Sequence, residues 1–458
     1  MAGGALEAYV TNVQNMSASG SLRELTDISR RAVDDVLANN IQHLDHALAT
    51  LSLGEHSIGI LAMLTAKMKQ AISQNQLEPV EAVVAQVREF VSGCNGEHIR
   101  AIPDMYCDLF HKIADYYLLK KNEPDRGITL LANAIDRLAT SKSQLTSLHA
   151  ALCCLCLKAR NLQAALPFLD ADMTDILKEL NHGPQHFDTK HFLCYYYYGG
   201  MIYAALKQFD QALFFFEIAV TTPAVAVSAI MTEAYKKYEL VSLIVHGEAR
   251  PLPTYKSSVV QRFIKQSCNE YNRIVSVYTG ATPVVDKATA LREHLEDARQ
   301  IFDQDGNVGL VKQVIQSLHK RNIQRLTKTF LTLSLTDVAN RCRLNGGATE
   351  AEQYIVQMIE SGEISAVIDQ ENGMVHFKDS SALVDSATVD AQMQRVMALE
   401  KVVRRLDTDA QLNPQYVSKM AKGSSGLYST GPVLHDDEGV SIQNFIPGFH
   451  VSDMMSLS

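Results

Sequence analysis

The stretch from Leu326 to Phe377, LTKTFLTLSLTDVANRCRLNGGATEAEQYIVQMIESGEISAVIDQENGMVHF, constrains the fold more than any other. Ser334 stands three residues before Asp337 at the head of an apolar run, a capping-box spacing that satisfies N–H groups at a helix start. Leu335, Val338, Ala339 and Cys342 then share one face. Asn345-Gly346-Gly347 ends that helix, because glycine tolerates the left-handed turn at a helix C-terminus. Ala351, Tyr354, Ile355, Met358 and Ile359 recur at helical spacing, and Ser361-Gly362 closes the second helix. Ile364, Ala366 and Ile368 alternate with Glu363, Ser365, Val367 and Asp369, the period of a strand. Asn372-Gly373 turns the chain back into Met374, Val375 and Phe377. Helix, helix and β-ribbon in that order predict a winged helix.

A winged helix suggests nucleic acid first, with the helix from Thr349 to Glu360 in the major groove. Phosphate neutralisation needs lysine or arginine. None occurs from Leu344 to Phe377, where six acids stand instead: Glu350, Glu352, Glu360, Glu363, Asp369 and Glu371. That surface repels phosphate. The preceding helix, Val308 to about Leu331, has a basic polar face of Lys312, Lys320, Arg321, Arg325 and Lys328. Beside acidic neighbours it reads as a solvated face or a protein ion-pair surface. Nucleic acid is not the expected partner.

The chain has 458 residues, enough for two or three domains. Its net charge of −9 also argues against a polyanionic partner. Cys153, Cys154 and Cys156 lie in one apolar helical run, and no cysteine pair has zinc-finger spacing. All eight are expected as reduced core thiols. The start, MAGGALEAYV, lacks the basic and apolar regions of a signal peptide. No apolar run reaches the length of a membrane span. An intracellular, soluble protein without a membrane partner is expected.

Residues 1 to about 190 read as helix after helix, the pattern of stacked αα-hairpins. The run from Tyr196 to Pro223, YYYGGMIYAALKQFDQALFFFEIAVTTP, carries a tetratricopeptide-like signature. Tyr196, Gly200, Tyr203, Ala212, Phe216 and Ala219 hold the required offsets, and Pro223 falls one residue early. Glycine and alanine let paired helices approach, and aromatics fill the gaps between hairpins. Ala164 and Phe168 mark a weaker copy, and Gly127, Leu131 and Ala134 a third. Copy spacing is uneven, so a degenerate solenoid is expected. Helices follow from Val225 to Val245, Val259 to Tyr278 and Lys287 to Asp303.

Beyond Phe377 one more helix, Val389 to Leu406, places Val389, Val396, Leu399, Val403 and Leu406 at steps of seven, three, four and three, with Met393 widening the seam. A helix past the end of a folded domain needs helices of other chains, or its own chain folded back, to bury such a seam. The tail from Thr408 to Ser458 is rich in Ser, Gly and Asp and reads as disordered. The domain plan is therefore helical repeats over 1–190, a domain over 191–380 whose helical part is 191–325 and whose winged helix is 326–380, a bundle helix over 381–407, and a tail over 408–458.

No His-x-His pair, HExxH, GxSxG or phosphate-binding glycine loop appears. His182, His186, Asp188, His191 and Cys194 lie near a Gly-Pro turn but fit no ligand spacing. No catalytic, cofactor-binding or metal residue is assigned, and no enzyme activity or cofactor is expected.

A helical-repeat array running into a winged helix and then a seam helix resembles the PCI family, whose members are subunits of the proteasome lid, an initiation-factor complex and the constitutive-photomorphogenesis-nine signalosome. CNGEHIR (Cys94 to Arg100), QLTSLHA (Gln144 to Ala150), KHFLCYYYYGGMIY (Lys190 to Tyr203), AYKKYELVSLI (Ala234 to Ile244), GLVKQVIQSLHKRNIQRLTKTFLTLSL (Gly309 to Leu335) and MIESGEI (Met358 to Ile364) resemble the signalosome's third-subunit family. The resemblance spans the chain to about Pro414 and leaves out the tail. It implies a non-catalytic scaffold in cytoplasm and nucleus, within a hetero-oligomer that removes a ubiquitin-like modifier from cullins and so regulates cullin-RING ubiquitin ligases. The implied partners are other PCI subunits and, through the complex, those ligases. PCI subunits join winged helix to winged helix at sheet edges, which assigns Ile364, Ala366, Ile368, Met374, Val375 and Phe377 to one interface. Their C-terminal helices form a shared bundle, which assigns Val389, Met393, Val396, Leu399, Val403 and Leu406 to a second.

Overall fold

A computed structural model describes residues 2–74, 77–177, 188–253, 256–280, 284–378, 386–414 and 416–418. The protein is mainly helical and divides into two compact units between Arg321 and Asn322.

The first unit is a solenoid. Its central members are α1 (Asp125–Leu138), α2 (Ser147–Ala159), α3 (Thr189–Ala205), α4 (Phe209–Thr221), α5 (Ala229–His246) and α6 (Asn269–Thr279). The tetratricopeptide-like signature does here what its chemistry predicts. A Cβ on Gly200 would meet the Phe216 ring at 2.6 Å, and one on Gly199 the Phe215 ring at 2.6 Å, so α3 and α4 pack at backbone distance only because those positions are bare. Tyr196, Tyr203, Ala212, Phe216 and Ala219 are buried around that contact. The Tyr203 hydroxyl donates to Asp170 at 2.7 Å and the Tyr195 hydroxyl to the Phe168 carbonyl at 2.9 Å, so each ring is tied at its polar end to the preceding repeat. That repeat is degenerate for a visible reason. Pro167 sits where a second helix would run, and only Leu166–Leu169 is α-helical there.

The first unit departs from expectation at several boundaries; the helix expected from Lys287 to Asp303 breaks at Ala298, whose φ of −100° and ψ of 18° are not helical. Residues 222–228 are not helical, and α5 starts at Ala229; Pro223 disfavours helical backbone at Thr222, and Val225 lies wholly in solvent. The helix expected from Val259 to Tyr278 breaks at Cys268, whose φ of −104° and ψ of 46° are not helical. All eight cysteines are free and buried, and burial pushes the Cys194 and Cys342 thiols up to about 11. Among the described residues, no helix is long and apolar enough to cross a membrane.

α7 (Val308–Thr327) ends the solenoid and contributes its last turns, from Asn322, to the second unit. There follow β1 (Thr332–Ser334), α8 (Leu335–Cys342), α9 (Gly347–Glu360), β2 (Ser365–Asp369), β3 (Met374–Lys378) and, last, α10 (Ser386–Leu412). The three strands form one antiparallel sheet in the order β1-β3-β2. Leu335, Val338, Ala339 and Cys342 of α8 and Ala351, Ile355 and Met358 of α9 are all buried in its core with Ile323, Val375 and Phe377. This is a winged helix. Ser334 Oγ accepts from the Asp337 N–H at 3.0 Å, half of the expected capping box. The Asp337 carboxylate accepts the Ser334 hydroxyl instead of reaching back to the chain. The left-handed residue that ends α8 is Arg343, at φ 46°, rather than one of the glycines after it. The Leu344 N–H behind it bonds to the Ala339 carbonyl and seats Leu344 in the core.

Candidate interaction surfaces on the winged helix and the C-terminal helix

The ribbon turns at Asn372-Gly373, with Gly373 at φ 62° and the Asp369 carboxylate accepting from both the backbone and side chain of Asn372. It does not stand alone. Thr332, Leu333 and Ser334 pair with His376, Val375 and Met374, which makes β3 the central strand. The assignment of Met374, Val375 and Phe377 to a free edge is therefore corrected. Their strand has a neighbour on both sides, and Val375 and Phe377 are core side chains. The sign of β1 in the sequence was the alternation of Leu331, Leu333 and Leu335, which a helix carried on to Leu331 had absorbed.

The free edges of the sheet are β1 and β2. Ile364, Ala366 and Ile368 do flank or lie on β2, but their side chains rest partly buried on the winged-helix core; Val367 is the exposed one. What the edge offers is backbone. The Phe377 N–H bonds to the Leu331 carbonyl, so Val375 and Phe377 point their polar groups at β1, and Met374, His376 and Lys378 point theirs at β2. Ser365, Val367 and Asp369 lie opposite those three. Ala366 and Ile368 consequently turn N–H and C=O outward, unpaired by the sheet.

The face around this edge is acidic. Glu352 accepts from the Gln370 amide at 2.9 Å, and the Glu350 carboxylate caps the Gly346 N–H at 2.7 Å. The basic stripe of α7 is split. Lys312, Arg325 and Lys328 are exposed, whereas Arg321 turns inward and donates to the Ile244 and Val245 carbonyls at 3.2 and 2.5 Å. It satisfies the C-terminus of α5, where a cation is favoured.

α10 runs 27 residues and buries none of them. It continues to Leu412, past the expected end at residue 407; of the expected tail, residue 415 and residues 419–458 fall outside the described ones. Val389, Met393, Val396, Val403 and Leu406 are all more than 40% exposed, and Leu399 is half-exposed. Thr388, Val389, Gln392, Met393, Val396 and Met397 line a shallow, almost wholly apolar hollow along this face.

Among the described residues, no three His, Cys, Asp or Glu side chains come together as a metal site requires. His182 and His186 lie outside the described residues. His191 is in the first turn of α3, stacked on His111 with ring centres 4.6 Å apart, and Cys194 is a buried thiol in the same helix.

A family model described as COP9 signalosome complex subunit 3, N-terminal helical repeats, matches residues 19–260, and the PCI domain model matches residues 291–379. Repeats and winged helix together thus make this a PCI-domain protein. Two curated relatives, both called COP9 signalosome complex subunit 3, align along nearly all of it. The one from Drosophila melanogaster is 42% identical over 91% of this chain and 95% of its own, and the one from Dictyostelium discoideum 33% identical over 92% and 96%. The chain belongs to the COP9 signalosome subunit 3 family.

Proposed function

We propose that the protein is a non-catalytic scaffold subunit of the signalosome, the complex that deneddylates cullins and so regulates cullin-RING ubiquitin ligases. It assembles through two surfaces: a backbone edge at Ala366 and Ile368, and the apolar seam of α10. The observation that carries this reading is α10 itself, 27 residues with a continuous apolar stripe and no buried side chain. Apolar area left in water costs about 25 cal/mol per Å², and a stripe of this kind marks a protein interface. The edge supports it, because strand addition uses the outward main-chain groups that β2 presents.

The test is co-expression of the tagged chain with its complex partners, followed by size-exclusion with mass readout. Ala366→Pro removes an outward N–H and leaves the ribbon's own ladder intact, so it sheds winged-helix neighbours without unfolding the domain. Val396→Asp with Val403→Asp sheds the partners of the bundle. If both variants retain the wild-type set of partners, assembly runs through the solenoid and the two surfaces are misassigned.

A further inference from the structure

The AYKKYELVSLI segment, Ala234 to Ile244, lies on α5, and its two adjacent lysines form an ion cluster inside the solenoid. Lys236 Nζ donates to Glu233 Oε1 at 2.6 Å and to Asp305 Oδ1 at 2.9 Å. Asp305 Oδ2 accepts from the Tyr271 hydroxyl at 2.7 Å, and that hydroxyl accepts from the Asn307 amide at 2.7 Å. The cluster therefore joins α5 and α6 to the turn that starts α7. Lys237, beside it, is wholly buried. Its Nζ lies 5.4 Å from the centre of the Tyr197 ring and 3.8 Å from Glu233 Oε2, too far for a hydrogen bond. Among the described residues, no protein group bonds to Lys237 Nζ, Glu233 Oε2 or the Tyr197 hydroxyl, and all three atoms are buried.

We propose that Lys237 and Glu233 hold one internal water molecule between them, and that this hydrated charge cluster locks the Asp305–Asn307 turn onto α5. Buried polar groups in folded proteins are nearly all satisfied, and a buried water typically serves two to four of them. Water fits where an ion does not. It accepts from the ammonium and donates to the carboxylate, whereas an anion meets the Glu233 oxygen and a cation meets Lys237. Burial holds the Lys237 ammonium down at about 8 against the pull of Glu233 and Asp305, as expected of a charge deprived of solvent on most sides. The cluster's net charge is zero, two lysines against two carboxylates, so removing any one member strands another.

A high-resolution crystal structure of the full chain tests the site. Density for one water in hydrogen-bond reach of both Lys237 Nζ and Glu233 Oε2 supports it; a direct Lys237–Glu233 contact without that density overturns it. Amide exchange of the full chain tests the lock. Asp305→Asn and Lys236→Met should each raise exchange over residues 305–312 by roughly tenfold or more, while the exposed control Glu296→Gln leaves it unchanged. Wild-type exchange rates there in both cluster variants would overturn the lock. Should one of these variants fail to fold, Glu233→Gln, which keeps the shape and removes one charge, gives the same readout.

Discussion

α3 and α10 are both helices with apolar stripes, and they meet opposite fates. α3 buries Leu193, Cys194, Tyr195, Tyr196, Tyr197 and most of the residues after them to Ala204, covered on successive faces by its own chain. α10 is half as long again and buries nothing. Apolar spacing alone does not separate them. The difference lies in what else each helix carries. α3 has Gly199 and Gly200, which admit the Phe215 and Phe216 rings, and tyrosines whose hydroxyls find acceptors one repeat back. α10 has no such fittings toward its own chain. It carries surface charge, including an Arg404–Glu400 pair at 2.6 Å on its solvated side. α3 carries its bare contact points in its sequence, at Gly199 and Gly200; α10 carries only the stripe.

The sharpest way to break that comparison is to fill the bare point. Gly200→Val puts side-chain carbon where the Phe216 ring lies 2.6 Å from the Cβ position. Neither helix can withdraw without opening the core, so a loss of about 3 kcal/mol is expected in chemical denaturation. A loss under about 1 kcal/mol would mean that α3 and α4 separate freely, and the close-approach argument would fail.

A second test uses acid. His149 is buried in α2, where its Nδ1 accepts from the Thr146 N–H at 3.1 Å, and burial lowers its pKa to about 4. The folded value lies below the ordinary 6.5, so the folded state resists protonation. Stability is whole above about pH 6.5 and is lost as pH falls toward 4; linkage gives about 2 kcal/mol lost by about pH 5. His149→Asn keeps an acceptor for the cap and does not titrate. Its unfolding free energy should fall less than wild type's between pH 7 and pH 5. Equal slopes for the two proteins would show that other groups carry the acid response.

Much of this was legible in the sequence, and the failures share a cause. Periodicity located α8 and α9 because their apolar faces are short and strict, and Asn372-Gly373 located the hairpin because few residues accept that turn. The same local signals cannot show that Leu333 pairs with Val375, a contact across 42 residues, so they present the ribbon as two strands with its inner strand at an edge. In the sequence Lys236 and Lys237 stand out only within the AYKKYELVSLI resemblance. A buried lysine looks in sequence like any surface lysine until Asp305 and Tyr271 arrive from two other elements.

A milder change separates folding from assembly inside the winged helix. Ser334→Ala removes the hydroxyl that accepts from the Asp337 N–H, and such a cap is worth about 1 kcal/mol. Denaturation of the second unit should shift by that amount while partner binding through β2 persists, since Ser334 lies on β1 at the other end of the strand order. Loss of partners at wild-type stability would place the contact on β1 instead.

The smallest expected effect on folding is also the most telling. Val396 and Val403 are 64% and 62% exposed. Changing both to aspartate removes no buried contact, so the isolated chain should unfold within about 0.5 kcal/mol of wild type. In α3 the same chemistry, a carboxylate at Tyr196 or Ile202, would desolvate a charge inside the solenoid and cost several-fold more. The contrast turns on burial alone, because both helices present apolar side chains at the substituted positions. If the α10 pair destabilises the isolated chain as an α3 substitution does, the seam is already covered by its own protein in solution. If stability holds and the purified complex loses subunits, the stripe on α10 is a surface whose other half belongs to a different chain.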